Sequence, residues 1–276
     1  MTAPSRYWAD LTTADFATLD PATTVAVLPV AAIEQHGPHL PLSVDATINE
    51  GILAEAAARA PSDLSFLILP EQSIGRSEEH LAFPGTLTIA PDTLAKAWGE
   101  IGRCVHRAGL RKLLLFNSHG GQPQVLDIVA RDLRVTLGML VAWCNWWRLG
   151  LPEEGLPGAE ELKHGIHGGA LETAIMLHLR PDLVRQDKIA DFRSLSQEMA
   201  DDYELLSPLG QTAFSWMTQD LNPTGAVGDA TQASVELGRR LVTHAADRLL
   251  FFLDELARFP MDKLTEQTTH KPAGSR

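Results

Sequence analysis

Four short apolar runs alternate with helical segments in the first half of the chain, and this alternation constrains the fold most strongly. The apolar runs are TVAVLPVA (24–31), LSFLILP (64–70), KLLLFN (112–117) and MLVAWCNWW (139–147). Their length and branched apolar residues are typical of buried strands, and helical patterns occupy 45–60, 91–109 and about 124–137. Strands that alternate with helices predict an α/β fold, with an open and largely parallel sheet covered by helices on both faces.

The second half of the chain continues the helical pattern, at 168–179 and 229–259. A loop rich in proline, glycine and glutamate separates the last predicted strand from these helices. The sequence contains no repeat, no low-complexity tract and no recognisable linker. We therefore predict one domain spanning residues 1–276, with its core at about 24–259.

The composition argues against several classes of protein. A formal net charge of −12 disfavours nucleic-acid binding, because little positive charge would neutralise the phosphates. No apolar run has the length of a membrane span, and the first residues lack the basic and apolar regions of a secretory signal. The two cysteines, Cys104 and Cys144, cannot form a disulfide scaffold, so we expect a cytoplasmic protein without membrane or nucleic-acid partners. The absence of glycine-rich phosphate loops and of a GxSxG elbow disfavours nucleotide and serine-hydrolase chemistry.

Four of the ten histidines are followed directly by glycine: His36, His119, His164 and His167. Each pair alone is compatible with an ordinary turn, whereas four together favour a metal or catalytic site. His36 and His119 both follow predicted strands. Ligands of open α/β sheets bind beyond the carboxyl ends of the strands, so we expect these two loops to converge there.

The segment Glu34-Gln-His36 places a carboxylate and an imidazole two positions apart, and Asp45 follows in the next predicted helix. In an extended chain, residues two apart point to the same side, so Glu34 and His36 can face one site. Carboxylate and imidazole ligands suit Zn²⁺, Mn²⁺ or Fe²⁺. Asp45 has an alternative role as the N-cap of its helix, and the Glu34–His36 pair an alternative as ordinary loop.

Two further clusters complete the candidate site. His119 lies just beyond a predicted buried strand and is followed by two glycines, which packing alone explains poorly. His167 and Glu172 are spaced across the start of a predicted helix. For this last pair, an exposed first-turn histidine with a solvated acid is an equally good interpretation.

These residues carry a family resemblance. The segments IEQHGPHLPLSVD (33–45), EEHLAFPGTLTI (78–89), FNSHGG (116–121) and HGGALETA (167–174) are similar to the four signature segments of the creatininase (creatinine amidohydrolase) family. They occur in the order and at the separations of that family, and TGAVGDAT (224–231) resembles its C-terminal part. The resemblance covers roughly residues 24–245. It implies a three-layer α/β/α sandwich with a mostly parallel central sheet, a divalent-metal centre at its carboxyl edge, and a ring-shaped homohexamer.

By match to the motifs, the resemblance implies Glu34, His36, Asp45 and His119 as metal ligands, with Asp45 bridging where two ions bind. It implies His167 as the catalytic histidine and Glu172 as the carboxylate beside the metal. True creatininases have a metal-binding glutamate where this chain has Gly121, and many members have an acid where it has Ala170. We therefore expect Glu172 to complete the ligand set, one or two ions per chain, and a substrate other than creatinine.

The leading functional hypothesis is a metal-dependent hydrolase that uses a metal-activated water to open a small cyclic substrate at an amide-type C–N bond. One alternative is hydrolysis of a C–C bond in a cyclic diketone derived from a carbohydrate or inositol. Another is a peptide-processing or binding protein with a structural metal. His80 and Trp146 are candidate substrate contacts, although a loop role for His80 and a core or interface role for Trp146 are alternatives.

Overall fold

The central element is a four-stranded parallel sheet, as the sequence pattern predicts. The computed structural model describes residues 4–210 and 212–264 of the chain. The strands are β1 (Val25–Val30), β2 (Phe66–Ile68), β3 (Lys112–Asn117) and β4 (Leu140–Asn145). Their order in the sheet is β2-β1-β3-β4, and all three neighbouring pairs are parallel. Strand β4 is shorter than predicted, because Trp146–Leu149 turns into a 3-10 helix.

Helices follow the strands and cover the sheet. They are α1 (Thr13–Phe16), α2 (Val44–Arg59), α3 (Pro91–Arg107), α4 (Pro123–Leu137), α5 (Ala159–His164), α6 (Ala170–Leu179), α7 (Leu195–Met199), α8 (Thr218–Leu221) and α9 (Val235–Arg258). Proline begins α3 and α4, where a missing N–H costs nothing, and Gly138 ends α4 in a left-handed conformation. A short antiparallel pair, β5 (Asp191–Phe192) and β6 (Gly228–Asp229), lies outside the main sheet.

The side chains of each strand alternate between two separate cores, one on each face of the sheet. Val25 and Val27 of β1 pack with helices α2, α6 and α9, whereas Ala26 and Leu28 pack with α3 and α4. This division gives the three layers of an α/β/α sandwich and confirms the predicted fold class. The N-terminal segment also packs on the second core through Trp8, and the single-domain organisation stays a prediction. Within the described ranges, no helix is both long and apolar enough to span a membrane.

The central strands bring two histidine-bearing loops to one edge of the sheet. Strands β1 and β3 pair along their whole length, and their last residues, Val30 and Asn117, are direct partners. The loop after β1 therefore begins beside the loop after β3. Helix α2 starts where the first of these loops ends, which brings Asp45 back toward the same edge.

Candidate functional site

Glu34, Asp45 and His119 form a buried cluster beyond the ends of β1 and β3. The Nδ1 atom of His119 lies 3.2 Å from Glu34 Oε2 and 3.4 Å from Asp45 Oδ2. The opposite nitrogen, Nε2, donates to the main-chain carbonyl of Arg76 at 2.7 Å. This hydrogen bond orients Nδ1 toward the two carboxylates, which is the arrangement of a histidine that binds a metal once its Nδ1 proton is displaced.

A second group lies beside the first and shares Asp45. His36 Nε2 is 3.6 Å from Asp45 Oδ1 and 3.7 Å from Glu172 Oε2. The Nδ1 of His36 donates to the main-chain oxygen of Glu34, so Nε2 is the nitrogen that faces the carboxylates. One oxygen of Asp45 thus faces His119 and the other faces His36, so the two groups share this carboxylate.

The donor atoms of these groups fit a divalent metal. Glu34 Oε2, His36 Nε2 and Asp45 Oδ2 are buried and have no hydrogen-bond partner among the described residues. Such atoms are costly to bury unless something binds them. Each of the sets Glu34–Asp45–His119 and His36–His167–Glu172 offers ligand atoms within 4.8 Å of one another. Nitrogen and oxygen donors in this number suit Zn²⁺, Mn²⁺ and Fe²⁺.

The charges of the cluster shift the proton affinities of its histidines. Burial by itself would lower the pKa of His119, but the facing carboxylates of Glu34 and Asp45 outweigh it and raise that pKa well above its usual value. Burial would also lower the pKa of His36, but the carboxylates of Glu172 and Asp45 outweigh this effect and raise that pKa to about 9. A divalent ion that binds here must replace these protons.

Two further imidazoles, those of His80 and His167, stand next to the cluster. The His167 ring stacks on His36 with centroids 4.1 Å apart, and the His80 ring lies 4.3 Å from it on the other side. His167 Nδ1 is 3.6 Å and His80 Nε2 is 3.3 Å from Glu34 Oε1. Burial, followed by the neighbouring imidazoles, lowers the pKa of both rings and keeps them neutral.

Glu161 holds the loop that carries His167. Its Oε1 accepts from the main-chain N–H of Ala170 at 2.6 Å, and its Oε2 accepts from that of Asp229 at 2.5 Å. A Cβ atom at Gly165 would lie 2.2 Å from this carboxylate, and one at Gly169 would lie 2.3 Å from it. The glycines around His167 therefore make room for a buried anchor from α5.

Glu79 occupies the space beside Gly121. A Cβ atom at Gly121 would lie 2.0 Å from Glu79 Oε1 and 2.5 Å from His119 Nε2. The same carboxylate oxygen is 3.6 Å from His119 Nε2. Glu79 comes from a different loop and crowds position 121, where true creatininases have a glutamate. It lies on the side of His119 that faces away from Asp45.

A cavity of about 730 Å³ opens onto these residues. Its lining includes Glu34, Asp45, His80, His119, His167 and Glu172, together with the apolar side chains of Trp146, Trp147, Trp216, Leu151, Leu162 and Leu171. The indole Nε1 of Trp146 is buried and has no hydrogen-bond partner among the described residues. Trp143 packs against the core beneath α3 and α4 instead.

The structure brings together all the predicted site residues: Glu34, His36, Asp45, His80, His119, Trp146, His167 and Glu172. Asp45 is not an N-cap, because Ser43 precedes the helix and the Asp45 carboxylate faces the histidines. His164 lies apart and contacts Ser196 through Nδ1. Sequence reasoning missed Gln35, Glu79, Glu161 and Trp216. Gln35 had a signal in its place between Glu34 and His36, and Glu79 had one in its place directly before His80. The individual roles of the site residues stay predictions.

Comparisons with known proteins agree with this geometry. The family model described as creatinine amidohydrolase matches residues 9–253. The mycofactocin precursor peptide peptidase of Mycobacterium ulcerans is 30% identical over 233 residues, which cover 82% of this chain and 84% of that protein. The creatinine amidohydrolase of Pseudomonas putida is 30% identical over 186 residues, 60% of this chain and 68% of that one.

A solved structure named as a creatininase with Mn superposes with a TM-score of 0.72 at 26% identity, covering 92% of this chain and all of the other. Fold, motif order and the convergence of the motif residues at one sheet edge all point the same way. The chain belongs to the creatininase family.

Proposed function

We propose that this protein is a divalent-metal-dependent hydrolase of amide C–N bonds, acting on a short peptide or an amide of similar size. The observation that carries the proposal is the buried cluster of unpartnered donor atoms on Glu34, His36 and Asp45, which opens into a cavity. Glu34, Asp45 and His119 would hold one ion. His36 and Glu172, with Asp45 between the two groups, would hold a second where two ions bind.

When bound, the ion would act as a Lewis acid and lower the pKa of a bound water toward neutrality. His167 presents Nδ1 toward the centre and can take up a proton there and return it to the leaving amine. Glu161 keeps that imidazole in place through the loop 165–169. The unpartnered indole N–H of Trp146 is free to donate to a substrate oxygen, in keeping with its predicted role as a substrate contact.

The size and lining of the cavity support a substrate larger than creatinine. A volume of about 730 Å³ is within the range of sites for drug-sized ligands. Three tryptophans and several leucines line it, so apolar groups of the substrate would gain contact area. The relatives from mycobacteria are named as peptide peptidases, which adds weight to a peptide substrate. A small cyclic amide is the second candidate substrate for the same centre.

The test begins with metal content, measured by elemental analysis after purification without chelators. We expect one or two equivalents of Zn, Mn or Fe per chain. Protein that holds no divalent metal in stoichiometric amount would overturn the proposal. The metal-loaded protein is then assayed with apolar dipeptides and tripeptides, cyclic amides including creatinine, and cyclic diketones. Release of a new amine supports the proposal, whereas a ring-opened acid without amine release would show C–C hydrolysis instead.

A pair of histidine variants tests the site itself. His119→Ala removes the imidazole that faces Glu34 and Asp45, and we expect loss of turnover and of metal with unchanged circular dichroism. The matched control is His106→Ala, because His106 lies in α3 outside the cluster. Equal activity of the two variants would contradict the assignment. The homohexamer and the cytoplasmic location also remain proposals; light scattering of the purified protein tests the first.

A further inference from the structure

The side-chain amide of Gln35 has a single possible orientation. Its Oε1 accepts from the main-chain N–H of Gly37 at 2.9 Å, and its Nε2 donates to the main-chain oxygen of Gly225 at 2.8 Å. A main-chain N–H can only donate and a main-chain carbonyl can only accept. The two contacts together therefore fix which end of the amide is nitrogen.

The second amide hydrogen of Gln35 determines the tautomer of His80. Gln35 Nε2 lies 2.7 Å from His80 Nδ1, so this nitrogen must accept and cannot carry a proton. Thr218 Oγ1 is also close to His80 Nδ1, at 2.9 Å, and its hydroxyl can donate to the carbonyl of Glu79. A neutral imidazole keeps one proton, and here that proton is on Nε2, the atom 3.3 Å from Glu34 Oε1.

His167 has the same tautomer, but it turns its other nitrogen, Nδ1, toward Glu34. Its Nε2 lies 2.6 Å from the main-chain carbonyl of Gln35, a contact that requires the proton on Nε2. Gln35 Nε2 is also 3.2 Å from this atom, but both of its hydrogens already point at His80 and Gly225. The Nδ1 of His167 therefore presents a lone pair to the centre.

We propose that Gln35 is a positioning residue that fixes His80 with its proton on Nε2, so that His80 faces the substrate as a hydrogen-bond donor and does not bind the metal. This proposal rests on the proposed hydrolase function. Glu34, His80 and His167 also have ligand atoms close enough for a cation. A protonated Nε2 has no lone pair for an ion, so this third group is a donor–acceptor pair and not a metal site.

The pair has complementary tasks in amide hydrolysis. The lone pair of His167 Nδ1 takes up a proton, while the N–H of His80, which lies 3.3 Å from Glu34 Oε1, turns to the substrate oxygen on which negative charge develops. The two rings are tilted against each other with centroids 4.3 Å apart, and both present a nitrogen to Glu34 Oε1. Gln35 fixes the proton position on both imidazoles: its side-chain amide donates to His80 Nδ1, and its main-chain carbonyl accepts from His167 Nε2.

The experiment measures the tautomer directly, on zinc-loaded protein labelled with ¹⁵N-histidine. Side-chain nitrogen signals of His80 are assigned by their loss in His80→Gln. We expect a protonated Nε2 and an unprotonated Nδ1 in the wild type. Gln35→Glu replaces the donating amide with an acceptor and moves the proton to Nδ1, whereas Thr218→Val leaves the tautomer unchanged. An unprotonated Nε2 in the wild type, or an unaltered tautomer in Gln35→Glu, would overturn the proposal.

Kinetics provide the second readout. Loss of one donor to a developing oxyanion lowers kcat about 10²–10³-fold, so we expect this loss in Gln35→Glu with metal content retained and KM within a few-fold. Loss of metal in His80→Gln would contradict the proposal. Gln35→Met, which is similar in size and uncharged, replaces Gln35→Glu if the added charge prevents folding. Because the tautomer is observed without any substrate, its result stands apart from the success or failure of the hydrolase assignment.

Discussion

A single methyl group added at Gly121 should disable the centre, because this position has no room for one. A Cβ atom there would lie 2.5 Å from His119 Nε2 and 2.9 Å from the carbonyl of Arg76, and ordinary contacts begin at 3.4 Å. The imidazole must therefore move by 0.9 Å, from 2.5 to 3.4 Å, unless the backbone moves. That movement breaks the hydrogen bond from His119 Nε2 to Arg76 and withdraws Nδ1 from Glu34 and Asp45.

The expected magnitude follows from this displacement. A misplacement of about 1 Å at a reacting centre costs on the order of 10²-fold in rate. Loss of the hydrogen bond that orients a ligating histidine weakens metal binding by about 10–100-fold. We expect Gly121→Ala to show both effects, measured as kcat/KM on whichever compound of the proposed panel is hydrolysed and as metal retained after dialysis against a graded chelator.

Gly120→Ala is the matched control, since a Cβ atom at Gly120 would meet nothing within 4 Å. It alters the same loop by the same atom and should keep metal within about two-fold, because the added atom contacts neither His119 nor Arg76. If both variants behave alike, loop flexibility and not crowding of His119 governs the site, and the reasoning fails.

Three further predictions concern stability. Chelator-stripped protein should gain thermal stability when Zn²⁺ or Mn²⁺ is added, and the gain in Tm should shrink from pH 8 to pH 6, because protons on His36 and His119 compete with the ion; a gain that is independent of pH would contradict this. Lys112→Met removes three hydrogen bonds from a buried ammonium to the carbonyls that end α9, at 2.9, 2.7 and 2.7 Å. Part of this loss is offset, because the variant no longer buries a charge, and we expect the free energy of unfolding in urea titrations to fall by about 2–3 kcal/mol. In Lys96→Met, on the surface of α3, the free energy of unfolding should change by no more than about 0.5 kcal/mol. Burial, with the charges of Glu50 and Asp45, raises the pKa of Glu71 to about 8, so the folded protein holds this proton where the unfolded chain has lost it, and stability falls as the pH rises from about 4.5 to 8. Glu71→Gln should therefore raise Tm more at pH 8.5 than at pH 5, and an equal effect at both values would refute the shift.

The sheet and its helices were predictable because their signals are local. Apolar runs of strand length such as KLLLFN appear in the structure within one or two residues of the predicted bounds. The convergence of Glu34, His36 and His119 also followed from the sequence, since parallel strands place their carboxyl ends at a common edge. The residues alone left the role of Asp45 open, because an aspartate at a helix start serves equally well as a cap, and its place among the ligands came from the family resemblance and stays a prediction.

The supporting residues could not be predicted, because their roles depend on contacts between distant parts of the chain. Glu161 acts through main-chain N–H groups of Ala170 and Asp229, and nothing in its own neighbourhood marks it. Glu79 approaches His119 from another loop, into space that Gly121 leaves free. The absence of a side chain at Gly121 was visible in the sequence, but the group that uses the space was not.

The hydrogen bond between Gln35 and the carbonyl of Gly225 spans 190 positions, and this separation has a consequence for how the protein is made. Loops that close over such distances form late, because their entropy must be offset by contacts that are already in place. On the ribosome, residues 34–119 emerge long before residue 225. The orientation of Gln35, and with it the proton position proposed for His80, can therefore be set only after residue 225 has been made and has packed against the loop that follows β1.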